Sequence, residues 1–148
     1  LSDLVVEVID QLEQKAKRFG IQVEFVDDGR RNVEVVGDAP KIEQVVTNLI
    51  SNSLRYGKEE GRTQVRFFDM EEQVLIEVAD DGIGMSEEHL PRIFERFYRV
   101  DKSRSRNAGG SGLGLSIVKH IIEAHDQSIS VRSTPKKGST FSFTLKKA

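Results

Sequence analysis

The sequence predicts an α+β fold, a two-layer sandwich in which one mixed sheet carries its helices on a single face. Three observations predict it. Apolar residues recur at helical spacing in three long stretches and at period two in several short ones. The order helix, strands, helix, hairpin, helices, hairpin is what a sheet covered on one side requires. And 148 residues with 37% hydrophobic content are enough for one ordinary core.

The elements follow in order. Residues 2–19 place Leu4, Val5, Val8, Ile9, Leu12, Ala16 and Phe19 on one helical face, with Ser2 to open the helix and Gly20 to end it. Two short strands, 21–26 and 33–36, are joined by the turn-prone DDGRRN. A second helix is expected from about 38 to 56, with Asp38 as N-cap and Pro40 tolerated in the first turn. A strand pair over 63–69 and 73–80 precedes a short helix from 86 to about 95 and another over 113–124. The chain closes with 128–133, a PKKG turn and 139–145, alternating like a half-exposed hairpin.

Composition narrows the function. A net charge of −2, from 22 Lys+Arg against 24 Asp+Glu, argues against a dedicated nucleic-acid binder. With no cysteine there is no disulfide framework, thiolate zinc site or thiol catalysis. No apolar run approaches the roughly 20 residues of a membrane span. The sequence opens at Leu1 without an initiator Met, so it is expected to be a segment of a longer protein. The near-neutral total hides an asymmetry. Residues 92–106 hold six basic and two acidic side chains and run directly into NAGGSGLGL. Such a stretch reads either as a solvated loop or as the place where a polyphosphate sits.

Three motifs can carry chemistry. Asn48 and Asn52 lie four apart on the second helix, with Arg55 and Tyr56 on the same side one turn later. They are either solvent-facing or, since a carboxamide oxygen is a hard neutral ligand, suited to Mg2+ shared with phosphates. ADDGIGM (79–85) leaves an apolar strand with Asp80 as a fixed acceptor for an exocyclic amino group; it also reads as a common Asp-Gly turn. GGSGLGL (109–115) opens a helix with backbone N–H groups able to face phosphate, or is a glycine hinge. Its spacing fits neither G-x-G-x-x-G nor a P-loop. The three histidines show no metal-ligand spacing; His125 reads as a packed helix-end residue, His89 and His120 as surface positions.

Together, NLISNSLRY (48–56), DDGIGM (80–85), IFERFYRVD (93–101) and GGSGLGLSIVKHIIEAH (109–125) resemble the catalytic, ATP-binding domain of bacterial sensor histidine kinases. They look like that family's N, first glycine, F and second glycine boxes, and 138–140 resembles its last glycine motif. The resemblance implies the Bergerat fold over 1–148, with an ATP lid at about 96–112. By position, it implies Asn52 as the Mg2+ ligand, Asn48 supporting the metal–phosphate end, and Arg55 in place of the usual Lys. Tyr56 would line the nucleotide site; Asp80 would bind the adenine amino group, in a pocket shaped by Gly82, Ile83 and Gly84. Tyr98 and Arg99 fall in the F box, where the family's arginine approaches the γ-phosphate. Lys102, with Arg104 and Arg106, would be lid cations. Gly110, Gly112, Leu113 and Gly114 would wrap the phosphates, and Thr140 would sit near the base.

Two departures stand out. The family commonly reads H-G-G where this chain has His125-Asp126-Gln127, so the helix ends without its usual left-handed glycine; Asp can adopt that conformation less readily, and a modest stability effect rather than lost function is expected. And no histidine sits in an H-E-[LF]-R-T-P context, so the acceptor histidine is expected on an upstream dimerisation domain. The implied reaction is γ-phosphoryl transfer from MgATP to that histidine, for relay to the receiver domain of a response regulator. The implied full protein is a homodimeric, membrane-anchored sensor with this segment, itself a monomer, on the cytoplasmic side. Rival readings are an ATP hydrolase of the same fold, a serine kinase of the anti-sigma type, and a nucleotide-sensing or protein-binding module without chemistry. The hydrolases carry Glu four residues before the metal-binding Asn; here that position is Asn48, which cannot take a proton.

Overall fold

The computed structural model describes residues 1–26, 33–98 and 113–148. Alternation builds the centre of the sheet. Strands β2 (Arg62–Met70) and β3 (Gln73–Asp80) pair antiparallel, with Thr63 opposite Asp80 and Val65 opposite Val78. Strand β5 (Gly138–Lys146) lies antiparallel to both β3 and β4 (Ile129–Thr134). Strand β1 (Gln22–Val26) closes the other edge, giving the order β1-β2-β3-β5-β4.

The helices are α1 (Ser2–Gln11), α2 (Glu13–Phe19), α3 (Ala39–Arg55) and α4 (Gly114–Ala124). One face of the sheet presents Val65, Ile76, Val78, Phe141, Phe143 and Leu145, all buried, to the apolar stripes of α3 and α4. Burial of each such side chain contributes about 1.5–3 kcal/mol. The two-layer sandwich and its mixed sheet are therefore as the patterning predicts. On the opposite face Glu77, only 7% exposed, is held by Arg132 at 2.9 Å and Arg66 at 3.8 Å.

Three elements differ from expectation. The helix over 2–19 is two helices. At Leu12 the backbone ψ reaches 2°, and the break lets α1 and α2 each pack on both α3 and β1. Gly20, at φ 69°, ends α2. The segment 33–36, expected as a strand, makes one isolated bridge, Val35 to Lys147. Strand β1 runs parallel to β2, with Gln22 opposite Arg62. Four residues of apolar alternation carry no partner preference of their own, so tertiary context decides. The short helix over 86–95 is a 3-10 helix, Glu87–Arg92. Pro91 supplies no backbone N–H there, and tight turns such as His89 N–H to Ser86 O at 3.1 Å take over.

Candidate functional site

Helix α3 begins as its sequence dictates: the Asp38 carboxylate accepts from Lys41 N–H at 3.3 Å, and Pro40 lies in the first turn. The frame thus set puts Leu49 and Ile50 in the core and leaves Asn48, Asn52, Arg55 and Tyr56 along one side. Asn48 Nδ2 donates to the carbonyl of Gly114 at 3.4 Å, which ties α3 to the first turn of α4 and leaves the Asn48 carbonyl oxygen facing away from that bond. Asn52 is 9% exposed. Next to it, Ser53 Oγ bonds Thr63 Oγ1 at 2.9 Å, and Thr63 is the residue paired with Asp80. One buried hydroxyl pair therefore sets the helix carrying Asn52 against the strand end carrying Asp80.

Beyond Asp80 the chain turns between two walls. On one side Ile83 N–H donates to Tyr56 O at 3.1 Å; on the other Lys136 N–H donates to Ile83 O at 2.7 Å. Backbone approaches so closely that side chains are excluded. A Cβ on Gly82 would stand 2.2 Å from Tyr56 O, and one on Gly84, at φ +67°, would stand 2.0 Å from Thr134 O.

Asp80 is the electrostatic focus. Its Oδ1 accepts from Gly82 N–H at 2.9 Å and Ser139 N–H at 3.3 Å, which leaves Oδ2 for another donor. Burial pushes its pKa from 3.8 to about 6, the two backbone N–H bonds pull the other way, and the neighbouring Asp81 charge adds to the rise. A carboxylate kept partly dry and aimed by backbone is a selective acceptor for an amino group.

Thr140, expected near the base, pairs with Ala79 and Arg132, and strand alternation sends it to the sheet face of Glu77. Ser139, buried at 8% exposure, is the residue of that motif adjoining Asp80. Tyr98 is held by the 3-10 helix: its hydroxyl bonds His89 Nδ1, and the Arg92 guanidinium lies 4.8 Å from its ring centre. His89 is accordingly half-buried and engaged, not the surface position expected of it. Leu113 and Gly114 stand at the opening of α4, as expected. Arg99, Lys102, Arg104, Arg106, Gly110 and Gly112 lie outside the described residues. Sequence reading missed Ser133, whose Oγ accepts from Met85 N–H at 2.8 Å; only its inward place in an alternating strand signalled it.

A buried amide side chain and a carboxylate aimed by two backbone N–H groups thus flank the junction of α3 and β3, joined through the Ser53–Thr63 hydroxyl pair. Residues 37–148 match the model of the histidine kinase-, DNA gyrase B-, and HSP90-like ATPase family. The phosphate regulon sensor protein PhoR of Pseudomonas aeruginosa is 42% identical over 77% of this chain and 26% of its own length. The sensor histidine kinase WalK of Bacillus subtilis is 40% identical over 93% of this chain and 23% of its own. This chain thus spans about a quarter of the length of these relatives. Among solved structures, the catalytic domain of the histidine kinase ThkA superposes with a TM-score of 0.85 at 30% identity, covering 99% of this chain and 92% of that one. ThkA has also been solved in complex with the response regulator protein TrrA, a likeness with a TM-score of 0.81 at 29% identity, covering 100% of this chain and 40% of that one. The chain belongs to this ATPase family and is a catalytic domain of the sensor histidine kinase type.

Proposed function

We propose that the chain binds MgATP and transfers its γ-phosphoryl group to a histidine on a separate dimerisation domain of the same protein, for relay to a response regulator receiver domain. The observation that carries this is the aimed Asp80 carboxylate, one oxygen fixed by two backbone N–H groups and the other free, against the asparagine face of α3. In the transfer, the imidazole lone pair forms the N–P bond as the bond from the γ-phosphorus to the bridging oxygen breaks, and ADP departs. A neutral imidazole needs no strong base here, which suits a carboxamide at position 48.

The residues fit Mg2+ by donor chemistry: Asn52 offers a neutral hard oxygen from a buried position. When bound, the ion would neutralise developing charge on the phosphates. Asn52 would hold it, and Asn48, oriented by Gly114 O, would support that end. Asp80 Oδ2 would accept from the adenine amino group. Gly82, Ile83 and Gly84 would shape that pocket, with Tyr56 lining it. Arg55, Leu113 and Gly114 would face phosphate; Arg99, Lys102, Gly110 and Gly112 would complete the phosphate end as a lid of about 96–112. Residues 1–148 would form one catalytic domain, monomeric alone and part of a homodimer in the whole protein, on the cytoplasmic side of a membrane-anchored sensor.

The test mixes this domain with a separately produced dimerisation segment and measures acid-labile phosphohistidine from labelled ATP. Wild type should transfer, and Asn52→Ala and Asp80→Ala should each reduce transfer at least about 100-fold, the loss of roughly two charge-assisted contacts. Transfer by both variants at the wild-type rate, or ATP binding indifferent to Mg2+, would refute the assignments.

A further inference from the structure

Ser133 lies on β4, one strand beyond β5 and off the nucleotide-facing residues, yet its hydroxyl is a fully occupied node. Oγ accepts from Met85 N–H at 2.8 Å, donates to Gly138 O at 3.1 Å and meets Ser139 Oγ at 2.7 Å. With its single proton given to Gly138 O, both other bonds are ones it accepts. Met85 is where the loop from Asp80 ends. Gly138 and Ser139 are where β5 abuts Asp80: a Cβ on Gly138 would stand 2.0 Å from Asp80 O, and Ser139 N–H donates to Asp80 Oδ1. One hydroxyl therefore joins the far end of the Asp80 loop to the backbone that grips the Asp80 carboxylate.

We infer that Ser133 is a positioning residue for adenine specificity, holding Ser139 and the 80–85 loop so that Asp80 Oδ2 stays aimed at the exocyclic amino group of the base. The inference rests on the proposed role of Asp80. Without the hydroxyl, Met85 N–H and the Ser139 hydroxyl each lose a partner inside the fold, and the strand and loop gripping Asp80 are no longer coupled. The aim loosens while the phosphate end, built on α3 and α4, is untouched. A residue acting this way should be felt only by nucleotides that present the amino group.

Calorimetric titration of this domain with Mg2+ and either ATP or purine riboside triphosphate, which lacks the 6-amino group, is the test. Ser133→Ala should weaken ATP about tenfold and purine riboside triphosphate less than about twofold, the selective loss matching one well-aimed hydrogen bond. Ser133→Thr, which keeps the hydroxyl on a strand that favours β-branched residues, should restore ATP binding. Equal losses for both nucleotides would mean a general structural role, and no loss for either would mean none; each overturns the inference. If Ser133→Ala does not fold, Ser133→Thr carries the test: ATP selectivity below the wild-type ratio in that variant counts against it. If wild type fails to prefer ATP over the analogue, the Asp80 reading falls, and this inference with it.

Discussion

Asp80 is a residue whose burial and charge oppose each other. Desolvation raises its pKa to about 6, so the folded protein holds a proton there that the unfolded chain, near 3.8, has released. The sign follows. Between these values the native state binds more protons, so stability falls as pH rises through the window and the full penalty stands above about pH 6. Asp80→Asn keeps an acceptor for Gly82 and Ser139 N–H without the buried charge. It should be more stable than wild type by about 1–3 kcal/mol at pH 8, an advantage that fades to nothing below about pH 4. Urea unfolding at the two pH values measures it; an advantage equal at both would show that charge is not the cause. The gain in stability should come with lost ATP binding, the usual exchange where a functional group is kept buried at a cost in stability. The place of Asp80 was legible in the sequence, because an apolar strand that runs into two closely spaced glycines marks a fixed acceptor at its end. The family resemblance points to Thr140 in place of Ser139, although the alternation of Phe141, Phe143 and Leu145 puts Ser139, not Thr140, on the core face.

At the scale of the element, the end of α4 shows how a departure from a family pattern is accommodated. Asp126 takes φ 58°, its N–H donating to Glu123 O at 3.0 Å and Gln127 N–H to Ile122 O at 3.1 Å, the paired bonds of a Schellman ending. The following residue is put to use: Gln127 Oε1 accepts from Thr144 Oγ1 at 2.7 Å and Gln73 Nε2 at 2.9 Å, fastening the helix end to β5 and β3. His125 Nε2 accepts from Asp38 N–H at 3.1 Å, joining the end of α4 to the start of α3. Only the left-handed backbone at Asp126 is unfavourable. Asp126→Gly should raise the unfolding free energy by about 0.5–1 kcal/mol, read from the denaturation midpoint at unchanged slope. No gain would mean that the Asp side chain already compensates the conformation. The left-handed Asp was foreseeable, because the helix had to stop before an alternating strand with no glycine available. The parallel pairing of β1 with β2 was not, because its partner lies some forty residues on and short apolar strands are ambiguous about neighbours.

Across the molecule, the site exists because the two layers meet without side chains between them. The 80–85 loop is pressed between the carboxyl end of α3 and the β4–β5 turn, and Gly82 is where helix and sheet touch backbone to backbone. A methyl group there would meet Tyr56 O and, at 2.8 Å, Gly57 Cα, atoms that belong to the main chain and cannot rotate aside. Gly82→Ala must therefore push α3 away from β3, disturbing Asn52 and Asp80 together and straining the Ser53–Thr63 bond between them. The expected cost is about 2–3 kcal/mol of stability, or roughly 4–10 °C in Tm for a domain of this size, together with loss of ATP binding. Gly114→Ala is the comparison within the same site. No described atom lies within 4 Å of a Cβ placed there, and alanine at the opening of α4 favours the helix. That variant should keep or slightly raise Tm, so any fall in its ATP affinity would report on the phosphate end and not on the fold. A Gly82→Ala variant with a Tm as high as that of Gly114→Ala would show that the loop tolerates a methyl group, and that the layers are not held at the spacing Gly82 implies.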